Sequence, residues 1–144
     1  MKHRDFVNQL RHDDIVAAIR AAEQKTSGEI RVFISRKKPE DAVAAAQKVF
    51  MKLGMTRTRE RNGVLVFVAP RARKLAVIGD EGVHKRCGEE FWRQMAEEMS
   101  GHFKASRFTE GIVHVVRKAG ELLAEHFPRR PDDRNELPDR VASD

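Results

Sequence analysis

Tyrosine is missing from this 144-residue chain, and tryptophan and cysteine occur once each. The lone thiol, Cys87, cannot close an internal disulfide, so the sequence carries no disulfide framework of the kind secreted domains use. Long hydrophobic runs are absent too. The longest, Val64 to Ala69, falls far short of the ~20 residues a bilayer-spanning helix needs, so no membrane insertion is expected. The first residues, MKHRDFVNQLRHDD, start with basic charge, but no apolar segment follows. They do not read as a secretory signal, and a cytoplasmic protein is expected. The chain is basic, with a net charge of +6 and a pI near 9.8. Its Lys and Arg are nevertheless interleaved with acids along the whole length, and RGG, zinc-finger and helix-turn-helix patterns are missing. Nucleic acid is therefore not the expected partner. A protein partner stays open, and the oligomeric state is not legible.

Apolar residues make up 40% of the chain and charged residues 35%, and the apolar ones are concentrated in segments, enough for one core. After an N-terminal segment, 1–12, a single domain is expected over 13–128, followed by a polar tail, 129–144. Asp13 or Asp14 caps a first helix whose apolar positions are Ile15, Ile19 and Ala22, and Gly28 follows its end. Ile30 to Ser35 alternates as a strand. Pro39 opens a second helix with Glu40 and Asp41 in its first turn and Val43, Ala46, Val49, Phe50 and Leu53 as its stripe. Val64 to Ala69 is unbroken and apolar, a strand covered on both faces. Leu75 to Ile78 follows so closely that the pair reads as an antiparallel hairpin. The first two strands, separated by a helix, read as parallel. Helices over Glu89 to Ser100 and Thr109 to about Phe127 complete the order αβαββαα. Strands buried on both sides need helices on both sides, so the expected fold is a three-layer α/β/α sandwich around a small mixed sheet. The polar tail is expected to order against the domain in part.

Four phrases exceed what packing requires: Thr26-Ser27-Gly28-Glu29-Ile30-Arg31, Leu53-Gly54-Met55-Thr56-Arg57-Thr58, Arg61-Asn62-Gly63-Val64-Leu65 and Ile78-Gly79-Asp80. As a set they resemble the TPM-domain family, which includes a thylakoid-lumen phosphatase linked to photosystem II repair. Phe127-Pro128 and Asn135-Glu136-Leu137-Pro138-Asp139 resemble its soluble branch. The resemblance spans Ile15 to Asp139. It implies a Rossmann-like α/β/α domain, divalent-cation binding (often calcium), and acid phosphatase activity in some members. The chain departs from the family pattern at Arg61, where the exported branch often carries an acid, and a base there weakens a cation site.

Topology gives a separate pointer. Glu29 precedes the first strand, Asn62 and Gly63 precede the second, and Asp80 and Glu81 follow the third. With the second and third strands antiparallel, these loops share one end of the sheet. Glu29, Asn62, Asp80 and Glu81 are then the candidate ligands for weakly bound calcium or magnesium. The bland alternative is that Asp80 caps a turn, Glu29 pairs with Arg31 and Asn62-Gly63 only turns the chain. Arg57, Arg59 and Arg61, with Thr56 and Thr58 between them, are the candidate anion binders, or else a solvated loop. His84 and Cys87 have zinc-like spacing but no second pair. No Ser or Cys nucleophile is placed by motif near His114 or His126, and no glycine-rich nucleotide loop is present.

The leading expectation is a ligand-binding or adaptor domain with a weak cation site. Its rival is a metal-assisted phosphomonoesterase in which Asp80 or Glu29 holds the metal or acts as base and the arginines clamp phosphate.

Overall fold

Two apolar patterns decide the architecture. Along β1 (Glu29–Ile34), Ile30, Val32 and Ile34 join Val64, Val66, Val68 and Val77 in one core cluster. Phe33 joins Leu65, Phe67 and Ala76 in another. Side chains alternate across a strand, so these are the two faces of one sheet. The computed structural model describes residues 1–129 and 138–144. β1 pairs in parallel with β2 (Gly63–Ala69), and β2 pairs antiparallel with β3 (Lys74–Gly79). A two-residue strand, β4 (Ala142–Ser143), pairs in parallel with β1, giving the order β3-β2-β1-β4. Every residue of β2 is buried, as its unbroken apolar run requires.

Helices lie on both faces. α2 (His12–Glu23), α5 (Glu89–Lys104) and α6 (Phe108–His126) supply Ile15, Ile19, Trp92, Met95, Met99, Ile112, Val116 and Leu123 to the first cluster. α3 (Ala42–Lys52) supplies Ala46 and Phe50 to the second. The three-layer α/β/α sandwich is therefore the observed fold. α2 and α6 cross closely: a Cβ added at Gly120 would meet the Ala22 Cβ at 2.5 Å.

Several local readings change: α3 starts at Ala42 with Asp41 as its cap, not at Pro39, and Val43 of the expected stripe is 50% exposed. The first seven-residue helix, α1 (His3–Gln9), lies inside the segment set apart as 1–12. It buries Phe6, and the following Leu10 is buried as well. α2 starts one residue ahead of Asp13, with Arg11 at the cap position. The Arg11 N–H donates to Thr109 Oγ1, and Asp13 and Asp14 sit in the first turn, where carboxylates favour the dipole. A further helix, α4 (Glu81–Cys87), starts directly after β3. Its single buried apolar residue, Val83, gives it no stripe to read. The tail orders against the domain in part, as expected, returning to the sheet through β4, held by Ser143 Oγ on the Ile34 carbonyl (2.8 Å) and by Asp144 on Ser35 and the Arg36 N–H. In the tail phrase, Asn135-Glu136-Leu137 lies outside the described residues.

Candidate functional site

The register aligns Glu29 with Gly63 and Val64 with Gly79. The loops before β1, before β2 and after β3 therefore meet at one end of the sheet, as the hairpin reading required. All four family phrases build that end. Thr26 Oγ1 bonds the Phe127 carbonyl and accepts the Gly28 N–H, and the Ser27 N–H reaches Phe127 O at 3.0 Å. Gly54, at φ 71°, takes the left-handed turn that ends α3. Thr58 Oγ1 accepts the Asn62 N–H at 3.2 Å.

The centre of this end is an ion pair. Arg61 Nε donates to Asp80 Oδ2 at 2.8 Å and Nη2 to Oδ1 at 2.9 Å, the parallel fork that fits a guanidinium to a carboxylate. Asp80 also caps α4, accepting the Glu81 N–H at 2.8 Å. Its side chain is 5% exposed. Arg61 has φ 51°, and its carbonyl accepts the Gly82 N–H at 2.9 Å. The first turn of α4 thus rests on the Glu60–Arg61 backbone. Contact is so close that a Cβ at Gly82 would stand 2.2 Å from the Glu60 carbonyl oxygen. Glu81 is 61% exposed and lies 3.9 Å from Arg61. Arg57 and Arg59 are exposed in the same loop, while the Arg61 guanidinium is committed to Asp80.

Beside this pair, Ser27 Oγ donates to Glu60 Oε2 at 2.6 Å, and Asn62 Nδ2 donates to Ser27 Oγ at 3.1 Å. Asn62 is buried, and its Oδ1 has no hydrogen-bond partner among the described residues. Glu29 is buried as well, and it lies against a second acid, Glu23, which in turn bonds Asp139. Glu23 Oε2 accepts the Ile30 N–H at 2.9 Å. Burial first, then hydrogen bonding to Asp139 and Glu29, pushes the Glu23 carboxyl well above the usual range, so it holds its proton at neutral pH. A signal for Glu23 was present: it continues the Ile15, Ile19 spacing of the buried stripe. Glu60 lay hidden between two arginines, and Asp139 follows a tail segment without periodicity.

The family likeness implies a divalent cation, and the residues can be tested for it. Among the described residues no group of three or more His, Cys, Asp or Glu side chains is arranged to hold a metal ion. Asp80 is bound by a guanidinium, Glu81 faces solvent, Asn62 Oδ1 offers one neutral oxygen, and Glu29 lies against Glu23. This set does not fit the six to eight oxygen ligands that calcium takes. Cys87 is half-buried and its thiol is pushed up by burial, the reverse of an activated thiolate. His114 bonds Glu98 at 2.7 Å.

The family model for the TPM domain matches residues 2–122. The chain belongs to the TPM-domain family. Among solved structures, this TPM domain is similar to the NMR structure of the BA42 protein from the psychrophilic bacterium Bizionia argentinensis sp. nov. That likeness has 36% identity and a TM-score of 0.84, and it covers 94% of this chain and 96% of the other. No curated protein matches the chain. Among the described residues, no helix of this TPM domain is long and apolar enough to cross a membrane.

Proposed function

We propose that this TPM domain is a binding or adaptor module that acts through what it holds and not by turnover of a substrate. One observation carries the reading: the Arg61–Asp80 fork. A metal-assisted phosphatase needs a carboxylate open to a cation and a cation open to the transferred phosphoryl group. Here the best-placed member of each kind neutralises the other and ties β3, α4 and the Arg61 loop together. That is a scaffold's use of the two charges. Any calcium or magnesium that reaches this end meets Arg61 as well as the acids, so its binding is weak.

The test is hydrolysis of p-nitrophenyl phosphate by wild type, Asp80→Ala and Arg61→Ala, prepared identically, with magnesium, manganese or calcium added and without. Turnover at background level in all three is the expected result. Wild-type turnover well above background that vanishes in Asp80→Ala overturns the proposal and installs the hydrolase. A calorimetric calcium titration on the same samples is expected to show no sub-micromolar site.

A further inference from the structure

The opposite end of the sheet holds a cavity of about 560 Å³, and it shares no residue with the loop end. Its size falls within the range of small-molecule pockets, roughly 300–1,000 Å³. Phe6 from α1, Val68 from β2, Leu75 from β3, and Phe103 and Phe108 from α5 and α6 form its apolar wall. The three phenylalanines pack as a cluster, with ring centroids 5.7, 4.9 and 5.4 Å apart. Two exposed cations, Arg73 and Lys104, line it, the Lys74 ammonium donating instead to the Glu40 carbonyl, and no Asp or Glu lines it.

The backbone adds a second observation. Only three non-glycine residues among those described have positive φ, and two of them, Arg73 at 53° and Ser106 at 59°, line this cavity. A glycine would hold either turn with less strain. At position 73 the chain instead carries a guanidinium. Its exposed position, with that of Lys104, leaves both charges hydrated until an anion meets them.

An apolar interior with a mouth of one sign selects a ligand with one apolar end and one anionic end. We propose that this cavity binds a single-chain amphiphile with a carboxylate head, its hydrocarbon among Phe6, Phe103 and Phe108 and its head at Arg73 and Lys104. The charges at the rim set which head is accepted, and the phenylalanines make the contact area. Because the cavity is separate from the Arg61–Asp80 end, this proposal stands or falls independently of the non-enzymatic reading.

The experiment is a ¹H–¹⁵N NMR titration of the full chain with decanoate, decanol, decyltrimethylammonium and acetate, each kept below its micelle threshold. Decanoate is expected to shift the amides of Val68, Leu75, Phe103 and Phe108. Decanol is expected to shift them more weakly, and the ammonium and acetate are expected not to. The double variant Arg73→Gly/Lys104→Ala is expected to weaken decanoate binding by about tenfold or more at low salt, with decanol unchanged. Arg73→Gly suits the left-handed backbone, so the spectrum should stay dispersed and native-like. A partial filling of the cavity from α5, Ser100→Leu, is expected to weaken both decanoate and decanol. Several results overturn the proposal: no response of these amides to any amphiphile, equal binding of decanoate and decanol untouched by the double variant, shifts that map to another surface, or a decanoate response that acetate reproduces.

Discussion

Replacing Glu23 with Gln tests a buried carboxyl whose protonation the fold controls. Glu23 is 6% exposed at the end of α2 and accepts the Ile30 N–H. Burial, Asp139 and Glu29 all raise its pKa, so the folded state keeps a proton that the unfolded chain releases. The sign follows from linkage. Where the native state binds more protons than the unfolded state, stability falls as pH rises. The Glu23 contribution is therefore fully present below the unfolded value, near 4.3, and is lost progressively above it. Each pH unit in that window costs up to about 1.4 kcal/mol. From pH 5 to pH 8 the ceiling is about 4 kcal/mol, and sharing of the proton with Asp139 and Glu29 brings the expected figure to about 2 kcal/mol. Gln reproduces the neutral form: its oxygen accepts from Ile30 and its amide can donate where the proton did. Glu23→Gln should match wild type at pH 5 and gain on it at each step to pH 8. For a domain of this size the gain is a widening in Tm of roughly 6 °C. Thermal melts by circular dichroism at pH 5, 6, 7 and 8 and fixed ionic strength measure it. A Tm difference between the two proteins that stays constant over this range would show that Glu23 ionises normally, and the reasoning would be refuted.

Val66→Asp places an unpaired carboxylate at the fully buried centre of β2, at a cost of several kcal/mol against a stability of about 5–15; the variant should be unfolded by circular dichroism, and a native Tm would contradict the central-strand assignment. Gly82→Ala should lose about 1–3 kcal/mol in urea unfolding, since its Cβ meets the Glu60 backbone and not a flexible side chain; an unchanged midpoint would mean that α4 is not seated on the Arg61 loop. Arg31 is 4% exposed, its Nε has no hydrogen-bond partner among the described residues, and burial followed by the nearby Arg140 lowers its pKa. Arg31→Met should therefore raise the Tm by several degrees, and a clear fall would mean that the guanidinium is stabilising where it sits.

The elements that carry dense apolar signals were legible. β2 announces itself because a strand buried on both faces has no polar positions to interrupt it, and α6 because Ile112, Val116, Ala119 and Leu123 recur at helical spacing. α1 and α4 were not. Each has seven residues and a single buried apolar side chain, too little for a periodicity to stand out from the surrounding charge. The tail strand was invisible for a different reason. β4 is held by edge pairing and by Ser143 and Asp144 contacts to residues more than a hundred positions earlier, and none of these is a local property.

At the loop end, the order of strands already implied that Glu29, Asn62 and Asp80 share one end of the sheet, because parallel and antiparallel connections fix which termini coincide. The sequence also determined the family, through phrases short enough to be local turns. The partner of each charge was decided only by tertiary structure. Arg61 and Asp80 are 19 residues apart, and they become a fork because β2 and β3 align Val64 with Gly79 and bring the loop and the cap face to face. Glu29 meets Glu23 across the α2–β1 connection, and Asp139 arrives from the far end of the chain. Charge and hydrogen-bonding capacity are written in the side chain, but whether an acid holds a metal, a base or a proton depends on which groups stand within a few ångströms of it, and that distance is a property of the folded chain.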